Sequence, residues 1–171
     1  MNQQEIRDKL FEQFGEEVIK GEDLFRDQVT LTVDRSRIAP VCRFLKEDPE
    51  LAFDFLSFVG AVDRYPSRPR FEVLYQLYSL QRNHRFRIKA LVDETDSEPA
   101  AIDSVVSLWP TADWHERETA EMFGITFKGH PDPRKLLLPE EWTCHPLRKD
   151  FHVEGNDEET PDLPRKVEQG S

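Results

Sequence analysis

Alternation of apolar and polar residues in the middle of the chain limits its fold more than any other feature. Residues 51–62, 71–78 and 84–92 each predict a strand, and the run HRFRIKALV at 84–92 has the period of a strand buried on one face. Only short, turn-like stretches separate the three runs, which favours antiparallel pairing. The basic residues of the last run lie on the opposite face, exposed to solvent or used by a partner.

Before these strands, the apolar residues have the spacing of helices. Apolar residues recur every fourth position from Ile6 to Val18 and predict a first helix that stops at Gly21. Residues 27–33 alternate Val and Leu with Thr and predict a strand. Residues 38–45 predict a second helix, which Asp48 and Pro49 end.

Two more helices are predicted after the strands. Pro99 suits the first turn of a helix carrying Ile102 and Val105, and Trp109 closes it before a proline. Asp113 and Glu116 have the spacing of a capping box for a fourth helix, which Gly124 would end. No regular element is expected after Gly124.

This element order predicts an α+β fold, a two-layer domain whose mixed, largely antiparallel sheet is covered by helices, followed by an extended C-terminal arm. The expected division is a core domain over residues 1–125, a docking arm over 126–153 and an acidic flexible tail over 154–171. A chain of 171 residues suits one such domain.

Charge and hydropathy exclude several classes of function. The net charge of −11 argues against nucleic acid as a partner, because binding phosphates requires clustered Lys and Arg. No stretch approaches the roughly 20 apolar residues that span a bilayer. The N-terminus MNQQEIRDKL lacks the layout of a signal peptide. We therefore expect a soluble chain in the cytoplasm.

The fourth predicted helix has no cleanly apolar side. Charged and aromatic residues of WHERETAEMF (114–123) fall on both sides of a helical wheel. Arg117 can pair with Glu121, but such an exposed pair is worth only ~0.2–0.5 kcal/mol. Two interpretations stay open. The helix is a surface helix with ion pairs, or it is covered by this domain on one side and by another protein on the other, with Arg117 binding carboxylates across the boundary.

The chain that follows this helix combines apolar and basic residues. The run Leu136 to Leu138 lies between prolines, so it cannot form a long helix or a central strand. Burial of each leucine is worth roughly 1.5–3 kcal/mol, so the run must be covered by the domain or by a neighbouring subunit. Basic residues flank it in an otherwise acidic chain, a composition suited to docking.

Three runs in this segment carry a family resemblance. They are ERETAEMFGITFKGHP (116–131), RKLLLPEEW (134–142) and HPLRKDF (145–151). Together they resemble the motif of the thirty-kilodalton subunit of NADH-quinone oxidoreductase, the enzyme also called respiratory complex I. Residues 1–110 resemble the family only in length and element order. The chain departs from the family pattern at Glu121, usually Asp, at Pro133, often Leu, and at Cys144, usually Gly.

The resemblance implies a non-catalytic scaffold subunit in the hydrophilic arm of a proton-pumping NADH-quinone oxidoreductase, peripheral to the cytoplasmic side of a bacterial membrane. It implies contact with the quinone-site subunit, the terminal iron–sulfur subunit and a neighbouring ferredoxin-like subunit, and only indirect contact with the membrane. No catalytic, cofactor-binding or metal-binding residue is expected in this chain, and FMN, iron–sulfur clusters and quinone are expected in partner subunits. The residues expected at the subunit interface are Glu116, Arg117, Glu118, Glu121, Phe123, His130, Arg134, Leu137, Trp142, His145, Arg148, Lys149 and Asp150.

Other hypotheses remain. The two cysteines are too few for a four-cysteine cluster, and no glycine-rich nucleotide motif is present. An enzyme with its own site would have to use the acidic and histidine residues Glu116, Glu118, Glu121, His130, His145 and His152. A metal site on Cys144, His145 and His152 would lack a recognisable ligand spacing. Related scaffold subunits also occur in membrane hydrogenases, in the photosynthetic relatives of complex I and in dehydrogenases with other electron donors, and the sequence does not separate them.

Overall fold

The computed structural model describes residues 1–151, in which three helices accompany a five-stranded and a two-stranded sheet. The expected acidic tail and His152 lie outside the described residues. In chain order the elements are α1 Gln3–Val18, β1 Ile19–Phe25, β2 Gln28–Val33, α2 Ile38–Glu47, β3 Phe55–Asp63, β4 Phe71–Ser79, β5 His84–Val92, β6 Ala101–Asp103, α3 Ala112–Phe123 and β7 Thr126–Lys128. A short 3-10 turn at Arg35–Arg37 precedes α2. The predicted α+β fold class is confirmed.

The larger sheet has the strand order β1-β2-β5-β4-β3, and β2 pairs with β5 in parallel while the other pairs are antiparallel. Alternate residues of β4, from Phe71 to Leu77, are fully buried, which confirms the period-two prediction. They belong to one apolar core with Ile6 and Leu10 of α1 and Leu45 of α2. The helical stripes therefore cover one face of the sheet.

One strand was missed in the N-terminal region. The sequence predicted that the first helix runs to Gly21, but α1 ends at Val18 and Gly21 lies inside β1. β1 pairs with β2 through a two-residue turn, Arg26 and Asp27, and both turn residues have positive φ. The strand was missed because its exposed residues include Lys20 and Glu22, whose charges suit an edge strand rather than an alternating pattern.

The predicted third helix is wrong. Residues Ala101–Asp103 form β6, which pairs in parallel with β7. Ile102 and Val105 are buried as expected. Two apolar residues do not distinguish a short helix from a short strand, and β7, the strand that pairs with β6, lies more than twenty residues further along the chain. β7 also contradicts the expectation that no regular element follows Gly124.

The fourth predicted helix is confirmed as α3, but its predicted cap is wrong. The residue before the helix is Thr111, whose side chain makes no capping hydrogen bond. Glu116 is fully buried and makes other contacts. Gly124 ends the helix in the left-handed conformation, at φ +73°, as predicted. No helix within residues 1–151 is long and apolar enough to cross a membrane.

Candidate functional site

The candidate site is the surface formed by α3 and by the chain that follows it, residues 129–151, here called the arm. α3 packs against β3, an edge strand of the larger sheet. The Thr119 hydroxyl of α3 lies 3.5 Å from the Val59 carbonyl of β3 and 2.7 Å from the His115 carbonyl one turn back. The buried stripe of α3 also contains Glu116, which explains why no side of this helix looked apolar in the sequence.

Glu116 binds the turn that follows β6. Its carboxylate accepts hydrogen bonds from the Ser104 hydroxyl at 2.6 Å and from the Val105 amide at 2.8 Å. Burial raises the pKa of Glu116, and the two donors oppose that rise. The ring of His130 lies 4.0 Å from the same carboxylate and 3.4 Å from Asp113. Glu116 therefore serves the fold, holding the turn after β6 against α3.

Glu121 binds the leucine run of the arm. Its nearly buried carboxylate accepts hydrogen bonds from the amides of Leu136 at 2.9 Å and Leu137 at 2.8 Å, and the Leu138 amide lies 3.5 Å away. A carboxylate that accepts several backbone amides makes stronger hydrogen bonds than a neutral group does. This contact fixes the run beside α3 while the Leu137 side chain remains 62% exposed.

Arg117 holds the same stretch of arm through carbonyl groups. Its guanidinium donates to the carbonyls of Arg134 at 2.8 Å and Lys135 at 3.1 Å, and it lies 5.5 Å from the centre of the Trp114 ring. The spacing allowed Arg117 to pair with Glu121 as one of two open interpretations, but each side chain binds arm backbone instead. One side chain takes carbonyls and the other takes amides, so together they fix the direction of the arm.

The arm also caps the C-terminal end of α3. The last four carbonyls of a helix have no partner within it. In α3 the Ala120 carbonyl accepts from the Gly124 amide at 2.8 Å. The other three are bound by the arm: Glu121 by the His145 Nδ1 at 2.8 Å, Met122 by the Leu147 amide at 3.1 Å and Phe123 by the Arg148 Nε at 2.6 Å. Burial lowers the pKa of His145, which favours the neutral ring.

The end of the arm is tied to the larger sheet by an ion cluster around Arg70. This guanidinium is nearly buried and donates to Asp63 at 2.9 Å, to Glu94 at 2.7 Å and to Asp150 at 2.6 Å. Asp63 also accepts the Lys149 amide at 2.9 Å. Burial opposes the charge on Asp63, but its hydrogen bonds, led by those from Arg70, prevail and lower its pKa from 3.8 to about 2.

Sequence reasoning missed Asp63, Arg70 and Glu94 as parts of the site. These three residues lie far before the arm in the chain, and no spacing in the sequence links them to it. The only local indication was Arg70 at the start of an apolar strand, where burying a charge requires a partner.

The residues predicted at a subunit interface fall into two groups. Glu118, Arg134, Leu137, Lys149 and Asp150 are exposed. The others are buried or partly buried: Glu116, Arg117, Glu121, Phe123, His130, Trp142, His145 and Arg148. Most of this second group holds the arm in place, and Trp142 lies where its carbonyl accepts a hydrogen bond from Lys135.

A groove of about 310 Å³ lies between α3, β7 and the arm, and His130, His145 and Gly124 line it. His130 accepts a hydrogen bond from the Asp132 amide at 3.0 Å and reaches the Asp113 carbonyl at 3.2 Å. Both histidines are thus engaged by the surrounding backbone. Within residues 1–151 no group of three or more His, Cys, Asp or Glu side chains is placed to hold a metal ion.

Comparison with known proteins finds similarity over most of the chain. Residues 31–157 match the model of the family described as respiratory-chain NADH dehydrogenase, 30 Kd subunit. The NADH-quinone oxidoreductase C subunit of Geotalea uraniireducens is 42% identical over 151 residues, 88% of this chain and 88% of that protein. The protein of the same name from Roseiflexus sp. (strain RS-1) is 46% identical over 134 residues, 78% of this chain and 75% of that protein.

Two solved structures have a similar fold. A trypsin-resistant fragment of Nqo5 superposes with a TM-score of 0.60 and 28% identity, covering 75% of this chain and 97% of the fragment. A chain of the membrane-bound sulfane sulfur reductase, an archaeal respiratory membrane complex, superposes with a TM-score of 0.67 over 88% of this chain and 85% of its own. At 22% identity, the second likeness concerns the fold alone.

Proposed function

The chain belongs to the family of 30 kDa subunits of the respiratory-chain NADH dehydrogenase, and on that premise we propose that it is a scaffold subunit of a proton-pumping NADH-quinone oxidoreductase. In this role it braces the quinone-site subunit and the terminal iron–sulfur subunit, beside a ferredoxin-like neighbour. FMN, the iron–sulfur clusters and quinone belong to partner subunits. The complex holds this chain peripherally at the cytoplasmic side of the membrane.

The order of the arm carries the proposal. Glu121, Arg117, His145 and Arg148 bind its backbone or the helix end beside it, so the arm is fixed before a partner arrives. A surface held in its bound conformation loses less entropy on association. The contacts hold the arm while leaving apolar and basic side chains outward, as the 62% exposure of Leu137 illustrates.

The proposed interface is the outward side of α3 and the arm. Leu137 and Leu147 are more than half exposed, at 62% and 55%, and Trp114 is 58% exposed. Exposed Lys149 adds positive charge close to Leu147 in the chain, and exposed Arg134 forms an ion pair with Asp132. Aromatic, aliphatic and arginine side chains of this kind are those that dominate protein interfaces. The buried members of the predicted set contribute indirectly, by holding this surface in shape.

The contacts of the acidic residues support a scaffold over a separate enzyme. Glu116 and Glu121 already accept backbone amides, and a general base needs an accessible lone pair for its substrate. His145 donates to a helix carbonyl, and burial lowers its pKa. These groups are arranged to hold backbone, which a scaffold requires.

The division of the chain stays a prediction, with a core over residues 1–125, an arm over 126–153 and a tail over 154–171. β7 lies inside the predicted arm and pairs with β6, so the first residues of that segment are part of a sheet. The docking role is proposed for the residues after Gly129.

Affinity purification from cells tests the proposed function. We expect the tagged chain to recover iron–sulfur and quinone-site subunits, identified by mass spectrometry, with NADH-quinone reductase activity in the purified assembly. Leu137→Asp should reduce that recovery, because it places a charge in the proposed apolar contact. Leu24→Asp is the matched control, since Leu24 is 65% exposed but lies on the β1–β2 hairpin. Recovery of the chain only as a free monomer contradicts the proposal.

A further inference from the structure

A second cavity lies on the opposite side of α3 from the groove described above. It has a volume of about 160 Å³ and is formed by β3, α3 and the arm, with a lining that includes Phe58, Gly60, Glu118, Met122, Phe123 and Leu147. We refer to it as the β3 socket. Phe123 belongs to the buried core, while Phe58 and Leu147 are 48% and 55% exposed and form its outer part.

Phe58 and Gly60 shape the β3 side of the socket. The register of β3 against β4 shifts between Leu56 and Phe58, and the Phe58 ring lies over Gly60. A Cβ atom added at Gly60 would lie 2.2 Å from that ring. Glycine is therefore required for Phe58 to fold back along the strand. On the other side, the hydrogen bond from the Leu147 amide to the Met122 carbonyl positions the arm.

Glu118 differs from the other acidic residues of α3. Asp113 faces His130, and Glu116 and Glu121 hold backbone amides. Glu118 is exposed and forms no hydrogen bond or ion pair with any residue between 1 and 151. It is the acidic member of an otherwise largely apolar socket lining. A carboxylate on an apolar surface favours a partner that brings both apolar area and positive charge.

We propose that the β3 socket receives one arginine or lysine side chain from a partner subunit, with its aliphatic stem between Phe58 and Leu147 and its charge at Glu118. This inference rests on the proposed function, since it names the chemistry of a partner at that surface. Long basic side chains bury their stems against apolar surface while the charged head stays at the rim. The Phe58 ring, 6.0 Å from the His115 ring, offers an aromatic face for the cation as well.

The size of the socket suits a side chain better than a cofactor. Pockets for drug-sized ligands usually measure about 300–1,000 Å³, whereas an apolar cavity of about 150 Å³ holds a group the size of benzene. At about 160 Å³ the β3 socket belongs to the second class. The acidic rim then selects a basic side chain over a purely apolar one.

The first test compares Glu118→Gln with Glu12→Gln in the affinity-purified complex. Glu12 is also exposed but lies on α1, away from the socket. We expect Glu118→Gln to weaken retention of partner subunits about tenfold in washes of rising salt, because it removes one member of an interfacial charge pair. Glu12→Gln should behave as wild type. The isolated Glu118→Gln chain should keep the wild-type melting temperature, since Glu118 holds no other described residue.

The second test identifies the partner residue. A photoreactive benzoylphenylalanine at position 147, irradiated in the assembled complex, should cross-link to a partner peptide that contains arginine or lysine close to the cross-linked position. Unchanged retention for Glu118→Gln, or a cross-linked peptide without a basic residue, overturns the socket proposal while leaving the scaffold function intact. Failure of the wild-type chain to recover any of the other proteins of the complex overturns both.

Discussion

Glu116 and Glu121 lie five positions apart on α3 and bind two different stretches of backbone. Glu116 holds the turn after β6 through Ser104 and Val105, and Glu121 holds the leucine run of the arm. Both are charged residues placed inside the protein, where a carboxylate is tolerated only when donors surround it. The two side chains convert one helix into an attachment point for two segments that have no regular structure of their own.

Glu121→Gln should loosen the arm without unfolding the domain. The neutral amide offers one acceptor instead of two carboxylate oxygens, so one of the Leu136 and Leu137 amides loses its partner. The expected loss is roughly 1–3 kcal/mol, the usual cost of an unsatisfied buried donor. Amide hydrogen exchange should show faster exchange at these two leucines and unchanged protection in β4 and β5.

Glu118→Gln is the matched control for that measurement, because Glu118 is on the same helix and exposed. It should leave the exchange of the leucine amides at the wild-type rate. Equal exchange of these amides in wild type and Glu121→Gln would contradict the role given to Glu121.

At the scale of elements, α3 and the arm complete each other. The arm supplies the partners for three of the last four carbonyls of α3, and α3 supplies the side chains of Arg117 and Glu121 that hold the leucine run of the arm. Gly124 stands at the junction. Its φ of +73° turns the chain away from the helix axis, and its missing side chain lets His145 and Arg148 approach the helix end.

Gly124→Ala should therefore be more damaging than glycine substitution elsewhere. An added Cβ would lie 2.6 Å from both the Arg148 guanidinium and the His145 ring, in addition to the strain of positive φ. Gly129→Ala is the control, because Gly129 has φ +81° and no atom within 4 Å of an added Cβ. Gly129→Ala should cost about 1–2 kcal/mol from backbone strain alone.

Urea unfolding measures both variants. A larger loss for Gly124→Ala, with exposed arm amides in hydrogen exchange, would show that the arm depends on close approach to the helix end. Equal losses for the two variants would mean that only backbone strain matters at Gly124, and that the arm tolerates displacement there.

At the scale of the whole molecule, Arg70 joins segments that are distant in sequence. It binds Asp63 at the end of β3, Glu94 after β5 and Asp150 near the end of the described chain. Breaking a buried pair by removing one partner usually costs about 3–5 kcal/mol, because the other charge stays buried. The cluster therefore couples the position of the arm to the integrity of the larger sheet.

This coupling predicts a defined dependence of stability on pH. The pKa of Asp63 is lowered from 3.8 to about 2 in the folded chain. A carboxyl group with a depressed pKa stabilises the fold above its unfolded pKa and loses that contribution as the pH falls toward the folded value. The free energy of unfolding should thus fall between about pH 4 and about pH 2, where Asp63 becomes protonated.

Urea titration at several pH values in that window tests the prediction. Asp63→Asn should be destabilised already at neutral pH, and its stability should fall less steeply in the acid range. Asp96→Asn is the control, because Asp96 is exposed and forms no hydrogen bond or ion pair with any of the described residues. Identical pH profiles for wild type and Asp63→Asn would refute the role of this pair.

Patterns within a few residues of one another determine much of this fold. Period-two alternation located β2, β4 and β5, and the four-residue spacing from Ile6 located α1. These predictions held because the apolar side of each element faces the core, which imposes the spacing of its apolar residues. The motif from Glu116 to Phe151 likewise sufficed for the family, which the comparisons confirmed.

Such patterns do not predict contacts between segments that are distant in sequence. β6 is a strand only because β7 lies beside it, and Arg70 can be buried only because Asp63, Glu94 and Asp150 surround it. Partners that are distant in sequence likewise decide which motif residues hold the arm and which face outward. Local spacing reports which side of an element is covered, but only the packed chain decides what covers it, because a hydrogen bond or ion pair needs both partners in place.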